Sequence, residues 1–321
     1  MEQVRAVLEA RQVAIYFAAI AIGALVGLTV PNASALEFAI NPALAVMLFV
    51  TFLQVPLAEL GAALRNTRFL GALLATNFIV MPAVTAVLVQ FLPHDPLLRL
   101  AVLFVLLTPC IDYVVTFTQL GRGDARLLLA ATPALLLLQM LLLPVYLRLL
   151  LDGEASGLVQ PGPFIHAFVW LIAIPLVLAG AVQLWARRTT SGVRAAAALG
   201  VLPVPATVLV LFLVLTSVMP RIGEAGVAAL TAAPIYVAYA ILAPLIGWLV
   251  ARNLRLEPSA IRAVSFSAAT RNSLVVLPLA FAVPGGVPML PAVIVTQTII
   301  ELVSELLYVR WIPRLSMKLS R

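Results

Sequence analysis

Apolar runs about as long as a membrane is thick recur along almost the whole chain. The clearest, Leu127–Leu147, lies between Arg126 and Arg148 and contains no charged residue. An α-helix needs about 20 such residues to cross the hydrocarbon core of a bilayer. The runs are continuous, whereas strands of a membrane β-barrel alternate polar and apolar residues. Only 10% of the 321 residues are charged, against about 25% in soluble domains. The sequence therefore predicts an all-α integral membrane protein.

We predict ten transmembrane helices in this chain. They cover residues 12–30, 39–57, 69–91, 97–119, 127–147, 164–185, 200–219, 228–251, 263–283 and 288–309. With the N terminus in the cytoplasm, sixteen of the 20 Lys and Arg residues fall in cytoplasmic segments and only Arg99, Arg148 and Arg221 fall in outer ones, which leaves Arg271 in the membrane. This distribution follows the positive-inside rule. It predicts a multi-pass protein of the cell membrane with both termini cytoplasmic, and it explains the net charge of +7 without a nucleic-acid partner.

Ten spans divide into two sets of five. An odd repeat inserts its second copy upside down, which is the inverted-repeat plan of many secondary transporters. We place the first five-helix repeat at residues 1–151, a connecting loop at 152–163 and the second five-helix repeat at 164–321. Spans 4 and 9 are then equivalent members of the two halves.

Spans 4 and 9 each contain an ionisable residue, Asp112 and Arg271 respectively. A charge at bilayer depth costs at least about 2.5–3.5 kcal/mol and commonly marks a functional site. Pro109 interrupts the helical pattern of span 4 because it lacks a backbone donor. Span 9 is rich in small and polar residues over 265–273, and Pro278 follows. We therefore predict that spans 4 and 9 are broken, cross each other and frame a transport site.

Short motifs associated with spans 4, 9 and 10 resemble the bile acid/sodium symporter superfamily. Span 4 carries Thr108-Pro109-Cys110, then Val114-Val115 and Gly121-Arg122-Gly123-Asp124; span 9 carries Arg271-Asn272-Ser273; span 10 carries Ile300-Glu301. Within the superfamily, the Pro-Cys step and the Ile-Glu pair are similar to the arsenical-resistance permeases, which export arsenite. The resemblance implies a panel domain and a core domain, each built from both repeats, with spans 4 and 9 unwound where they cross.

Two departures from the family pattern argue against sodium coupling. Sodium-coupled members carry a Ser-Asn pair where this chain has Val114-Val115, and a Glu and a Gln where it has Ser267 and Arg271. Alkyl side chains supply no oxygen ligands, and a guanidinium puts a positive charge where a cation would sit. We predict that the sodium sites are absent. The arsenite permeases also carry a Glu in span 9 where this chain has Leu274.

The candidate site residues cluster around the predicted crossing. For substrate binding we select Cys110, Asp112, Arg271, Asn272 and Glu301; for support Thr108, Pro109, Ser267, Ser273, Gln297 and Asn77; and for proton coupling Asp112 and Glu301. Purely structural roles stay open: a packing role for Cys110, a latch formed by Asp112 and Arg271, and helix–helix hydrogen bonds for the small polar residues. Glu305 is left out because it could also reach the cytoplasmic side.

Three functions remain after this comparison. The leading one is a secondary transporter working by alternating access, independent of sodium and coupled to protons, with arsenite or a related metalloid as the most specific cargo because Cys110 offers a soft ligand. The second is a transporter of a small organic anion bound by Arg271. The third is a channel or a non-transporting receptor. The sequence has no phosphate-binding loop, metal-ligand cluster or nucleophile–base set, so we expect neither an enzyme nor a cofactor; the chain gives no indication of a protein partner.

Overall fold

The computed structural model describes residues 2–55, 66–111, 113–151 and 161–317, and within these ranges the chain is α-helical without a β-strand. The predicted all-α class is confirmed to this extent. The helices are α1 (Glu2–Thr29), α2 (Ile40–Gln54), α3 (Thr67–Ala75), α4 (Met81–Val89), α5 (Pro96–Leu106), α6 (Tyr113–Leu120), α7 (Ala125–Leu150), α8 (Pro161–Phe168), α9 (Ile174–Arg188), α10 (Thr190–Leu199), α11 (Pro203–Val218), α12 (Ile222–Asn253), α13 (Pro258–Ala269), α14 (Ser273–Phe281) and α15 (Met289–Met317).

Eight helical stretches in the described part of the chain are long and apolar enough to cross a membrane. They are Gln3–Thr29, Ala33–Gln54, Thr67–Val89, Ala125–Leu150, Ile165–Arg188, Thr190–Val218, Ala225–Asn253 and Met289–Leu315. They coincide with eight of the ten predicted spans, so the chain is a multi-pass membrane protein. The other two predicted spans, 4 and 9, fall on the helix pairs α5–α6 and α13–α14.

The chain divides into two compact units, each made of separate segments. The first contains Met1–Gln54, Val159–Gly226 and Leu277–Ala292, and the second contains Val55–Leu158, Val227–Val276 and Val293–Arg321. In the first unit, α1 packs against α11. The Thr216 hydroxyl donates a hydrogen bond of 3.2 Å to the carbonyl of Gly23. A Cβ at Gly23 would lie 2.8 Å from the Phe212 carbonyl, so only glycine permits this close approach.

In the second unit, α3 and α4 form one continuous span through a π-helical segment, Thr76–Val80. Pro82 follows that segment and cannot donate to the carbonyl four residues earlier, that of Phe78. The Tyr146 hydroxyl, on α7, donates to the Phe78 carbonyl at 2.5 Å instead. The π segment carries Asn77, which is fully buried, and π-helical turns inside α-helices are frequent at functional sites.

Candidate functional site

Helix α5 ends at Leu106, and the next helix begins at Tyr113. Pro109 has no N–H with which to continue the helical ladder. The Thr108 hydroxyl compensates, since it lies 2.9 Å from the Phe104 carbonyl and 3.1 Å from the Val105 carbonyl. The end of α5 is thus satisfied locally, and the following backbone is available for contacts with another segment.

Helix α13 ends at Ala269, where the side chain of a residue just beyond the helix folds back onto it. The Arg271 Nη2 donates at 2.7 Å to the carbonyls of both Ser267 and Ala268. The last carbonyls of a helix have no partner within it, and they carry the negative end of the helix dipole. Arg271 therefore caps α13 with a positive charge and satisfies two backbone acceptors.

The segments that follow α5 and α13 meet in a short antiparallel bridge between Pro109 and Arg271. The Cys110 N–H donates to the Thr270 carbonyl at 3.1 Å, and the Asn272 N–H donates to the Thr108 carbonyl at 2.8 Å. We call residues 107–111 together with 270–272 the crossing. These two hydrogen bonds give the extended backbone of the crossing partners within the protein.

Neutral oxygens surround the Arg271 guanidinium. Besides the two α13 carbonyls, Nη2 lies 2.8 Å from Asn77 Oδ1, and Nη1 lies 3.4 Å from the Leu106 carbonyl at the end of α5. The guanidinium carbon lies 5.5 Å from the centre of the Tyr239 ring, within the range of a cation–π contact. Two helix C-termini and one side-chain amide thus hold a fixed cation that is fully buried.

Glu301, on α15, receives three hydrogen bonds. Its Oε2 accepts from the Arg271 backbone N–H and from Gln297 Nε2, both at 2.6 Å, and its Oε1 accepts from the Tyr113 hydroxyl at 2.5 Å. The carboxyl group is 3% exposed. It therefore connects the crossing to both α6 and α15, and each of its oxygens is occupied by a donor.

The structure places the predicted site residues in three groups within the second unit. The bridge holds Thr108, Pro109, Cys110 and Asn272; the guanidinium cluster holds Asn77, Ser267 and Arg271; the carboxyl cluster holds Gln297 and Glu301. Ser273 lies apart from these and is hydrogen-bonded to Thr298 at 2.8 Å. Cys110 is fully buried. Asp112 lies outside the described residues, so its predicted contact with Arg271 stays a prediction; within the described ranges, no carboxylate forms an ion pair with Arg271.

A cavity of about 10 Å³ borders the Glu301 carboxyl group and is lined in part by Gln297, Tyr236, Tyr239 and Tyr308. This volume accommodates about one water molecule. Two buried polar atoms of its lining residues, Gln297 Oε1 and the Tyr236 hydroxyl, have no hydrogen-bond partner among the described residues. In this conformation the cavity has no space for a larger solute, so a cargo could contact Glu301 from this side only after a rearrangement.

Several polar residues at the site did not emerge from the sequence. Tyr113 and Tyr239 contact the site through their hydroxyl group and ring, and neither type is unusual in a membrane helix. Glu305 is fully buried and lies 2.5 Å from the Thr270 hydroxyl. A signal for Glu305 was present, since residues four apart share a helix face and Glu301 was already selected.

The described residues have no cluster of the side chains that most often ligate metal ions. They contain no group of three or more His, Cys, Asp or Glu side chains that could hold one. In the bridge, the carbonyls of Thr108 and Thr270 already accept backbone N–H groups, and at the end of α13 the carbonyls of Ser267 and Ala268 accept from Arg271. At the start of α6, Val114 is fully buried, and its side chain supplies only methyl groups.

A family model described as "Sodium Bile acid symporter family" matches residues 41–224 of the chain. The matched region begins in α2, includes the bridge residues on the α5 side, and ends at the beginning of α12. Arg271 and Glu301 lie beyond it. No curated protein matches the sequence.

Proposed function

The chain belongs to the sodium bile acid symporter family, and from this premise we propose that it is a secondary transporter of the cell membrane working by alternating access. The helix pairs α5–α6 and α13–α14 are proposed to be interrupted membrane spans in a ten-helix plan of two inverted five-helix repeats. The observation that carries the proposal is the bridge between Pro109 and Arg271. Non-helical backbone at the middle of two spans, with charged side chains beside it, is the arrangement that transporters use for their binding sites.

We further propose that transport is independent of sodium. The Arg271 guanidinium occupies a position surrounded by carbonyl and amide oxygens at 2.7–2.8 Å, which are the ligands that hard cations prefer. A covalently attached cation leaves no place there for a mobile one. Sodium replacement by choline is therefore expected to leave flux unchanged in the wild-type protein.

Arg271→Ala supplies a sharper test of this replacement. Without the guanidinium, the oxygens that surrounded it are free to bind a small cation. A cation that binds only the folded protein raises the stability of that folded protein. We expect sodium chloride, compared with choline chloride, to raise the melting temperature of Arg271→Ala and not that of the wild type. Equal melting temperatures in both salts for both proteins would argue against a cation-shaped oxygen cage.

Proton coupling is proposed to replace sodium coupling, with Glu301 and Asp112 as proton-carrying groups. The support is chemical, since carboxylates titrate and Glu301 is hydrogen-bonded to the backbone of Arg271 at the bridge. A change in the crossing therefore alters the hydrogen bonds that Glu301 receives. In proteoliposomes, flux is expected to follow an imposed pH gradient in the presence of choline alone. A strict sodium requirement would overturn this part of the proposal.

Arsenite or a related metalloid is the cargo that we propose first, with export as the direction. Cys110 is the one thiol of the chain, and its backbone forms the bridge to Thr270. Thiolates are preferred ligands of soft metal and metalloid centres. Expression in an arsenite-sensitive strain should lower cellular arsenic, and Cys110→Ser should abolish the effect. Unchanged arsenic content in cells that insert the wild-type protein would refute this cargo.

A small organic anion is the second candidate cargo, and one observation favours it. The Nε of Arg271 is buried and finds no hydrogen-bond partner in the described part of the chain, so the guanidinium keeps a donor that a carboxylate could accept. In this case Arg271→Gln should abolish uptake of small carboxylates while Cys110→Ser remains active. The opposite pattern identifies the metalloid, and no saturable flux of either solute by the wild type would favour the channel or receptor alternative.

A further inference from the structure

A second buried acid, Glu305, lies one helical turn after Glu301 on α15. It is fully buried. Its Oε1 lies 2.5 Å from the Thr270 hydroxyl. Its Oε2 has no hydrogen-bond partner among the residues that the structure describes. Burial of an ionised carboxylate with a single hydrogen bond is costly, so this environment favours the protonated form of Glu305.

The Thr270 hydroxyl is close to two oxygens but has one hydrogen. It lies 2.7 Å from the Phe266 carbonyl and 2.5 Å from Glu305 Oε1. Both distances are those of O–H···O hydrogen bonds. A carbonyl and an ionised carboxylate have no hydrogen to give, so an ionised Glu305 would leave one of these two short contacts without a hydrogen. With a protonated Glu305, the carboxyl group donates to Thr270 while Thr270 donates to the Phe266 carbonyl, and both contacts are satisfied.

Glu301 has the opposite pattern. The backbone N–H of Arg271 and the Nε2 of Gln297 can only donate, and both point at Glu301 Oε2. The Tyr113 hydroxyl lies 2.5 Å from Glu301 Oε1 and 3.4 Å from the Arg271 carbonyl. Since 3.4 Å is longer than an ordinary O–H···O hydrogen bond, its hydrogen is directed to Glu301. Three donors surround this carboxyl group among the described residues, which is the environment of an ionised carboxylate.

We propose that Glu301 and Glu305 form a pair that holds a single proton, bound at Glu305 in this conformation, and that Glu305 supplies this proton to the coupling step proposed above for Glu301. The inference rests on the proposed function for its role and on hydrogen counting for its position. The charged and titratable neighbours of the pair among the described residues are Arg271 at the crossing, Tyr113 on α6, Tyr236 and Tyr239 on α12, and Tyr308 on α15. Arg271 is the one cation among them.

The position of Glu305 ties its proton to the bridge. The hydroxyl of Thr270 contacts Glu305, while the carbonyl of the same residue accepts the Cys110 N–H. Transfer of the proton from Glu305 Oε1 to water would leave two buried carboxylates one turn apart, which repel each other. Release therefore requires water to enter and the crossing to move, so that protonation and conformation change together.

Infrared spectroscopy of the purified protein, in a detergent that contains no ester group, tests the position of the proton without any cargo. At neutral pH, exposed carboxyl groups are ionised, so the carbonyl stretching band of a protonated carboxyl group reports a buried acid. We expect this band in the wild type and in Glu301→Gln, because Glu305 keeps its burial and its contact with Thr270 there. We expect it to lose intensity in Glu305→Gln. A band of unchanged intensity in Glu305→Gln, or one that disappears in Glu301→Gln, would overturn the assignment.

Thr270→Val keeps the test decisive if Glu305→Gln does not fold. Valine has the shape of threonine without the hydroxyl, so the carboxyl group loses its hydrogen-bond partner but keeps its proton. The band should move to the higher frequency of an unbonded carboxyl group without losing intensity. An unchanged frequency would show that the protonated group is not the one next to Thr270.

Proteoliposomes loaded with arsenite test the role of the proton. Glu305→Gln should still exchange arsenite down its own gradient but should no longer respond to an imposed pH gradient, because its side chain cannot titrate. A pH response equal to that of the wild type would remove Glu305 from the coupling step. If the wild type carries no arsenite, the proposed cargo fails while the infrared result stands by itself.

Discussion

At the scale of single residues, Arg271 has the largest set of partners in the site. Its guanidinium caps α13, contacts Asn77 and reaches the end of α5. Arg271→Ala leaves these oxygens without a donor, and each buried unsatisfied group costs about 1–3 kcal/mol. We expect a clearly lower melting temperature for the purified protein.

Two variants serve as controls for Arg271→Ala. Arg271→Lys keeps the charge but loses the planar set of donors, so it should melt between Arg271→Ala and the wild type. Arg5→Ala removes an exposed ion pair with Glu9, and such pairs contribute little, so it should melt with the wild type. A wild-type melting temperature for Arg271→Ala would contradict the capping role.

Asn77 joins three elements through its side chain. Its Nδ2 donates to the Leu73 carbonyl and to Ser267 Oγ, each at 3.0 Å, and its Oδ1 accepts from Arg271. We expect Asn77→Ala to destabilise the protein by about 1–3 kcal/mol, since it leaves buried polar groups unsatisfied. Chemical denaturation or thermal melting in detergent measures the loss.

Thr85→Val is the matched control for Asn77→Ala. Thr85 lies two turns further along the same span and is equally buried, but its hydroxyl has no partner among the residues described here. Replacement of an unsatisfied buried hydroxyl by a methyl group should be neutral or stabilising. If both variants lose the same stability, then loss of any buried polar group on this span destabilises the protein, and the hydrogen bonds of Asn77 have no special part in it.

At the scale of helices, α12 and α13 approach each other closely at Gly247. A Cβ added there would lie 2.7 Å from the Cβ of Ala268 and 3.1 Å from the Cα of Ser265. These atoms belong to the backbone or are fixed to it, so they cannot move aside without shifting a helix. We expect Gly247→Ala to cost about 1–3 kcal/mol through overpacking.

Gly71→Ala tests the same substitution where space is available. Gly71 lies inside α3, and nothing lies within 4 Å of a Cβ built there. Alanine is a better helix former than glycine by about 1 kcal/mol, so this variant should melt slightly higher than the wild type. Thermal melting of both variants separates crowding from helix propensity, and a stable Gly247→Ala protein would refute close packing of α12 on α13.

Helix positions were more predictable than helix interruptions. Apolar length alone located the eight long helices, because a membrane requires a minimum run of such residues. Pro109 gave a chemical reason for α5 to end. No proline ends α13, however. The Arg271 side chain caps this helix locally, and the backbone beyond it is held by Glu301 and Thr108, which are distant in sequence. Such contacts follow no periodic pattern in the sequence. The sequence could therefore indicate that residues 265–273 form a polar segment, but not which hydrogen bonds this segment makes.

At the scale of the whole molecule, the loop charges predict one orientation. A Cys110→Ser background allows this to be tested with single cysteines, because the chain has no other thiol. Gln3, His94 and Arg188 are exposed. In intact cells, a membrane-impermeant thiol reagent should label His94→Cys and should not label Gln3→Cys or Arg188→Cys.

Wild-type protein, whose thiol is buried, is the blank for this labelling, and permeabilised cells are the positive control. The reverse pattern would invert the molecule in the membrane. Labelling of His94→Cys together with either of the others would contradict the predicted number of spans between them.

The sequence indicated which residues form the site better than it indicated which of them donate and accept hydrogen bonds. Unusual residue types in apolar surroundings identified Arg271, Cys110 and Glu301. The donor and acceptor relationships depend on which atoms face each other, as for Thr270 and Glu305. Sequence also paired Arg271 with Asp112, whereas its described partners are neutral oxygens, an environment that residue type alone does not reveal.

The bridge between the two segments is made by main-chain atoms, and this has an evolutionary consequence. Backbone amide and carbonyl groups are common to nearly all amino acids. The side chains at positions such as Cys110 and Asn272 can therefore change while the two segments stay hydrogen-bonded to each other. Selectivity can then diversify by substitution without dismantling the scaffold. Related carriers would be expected to differ most in chemistry at these positions and least in geometry.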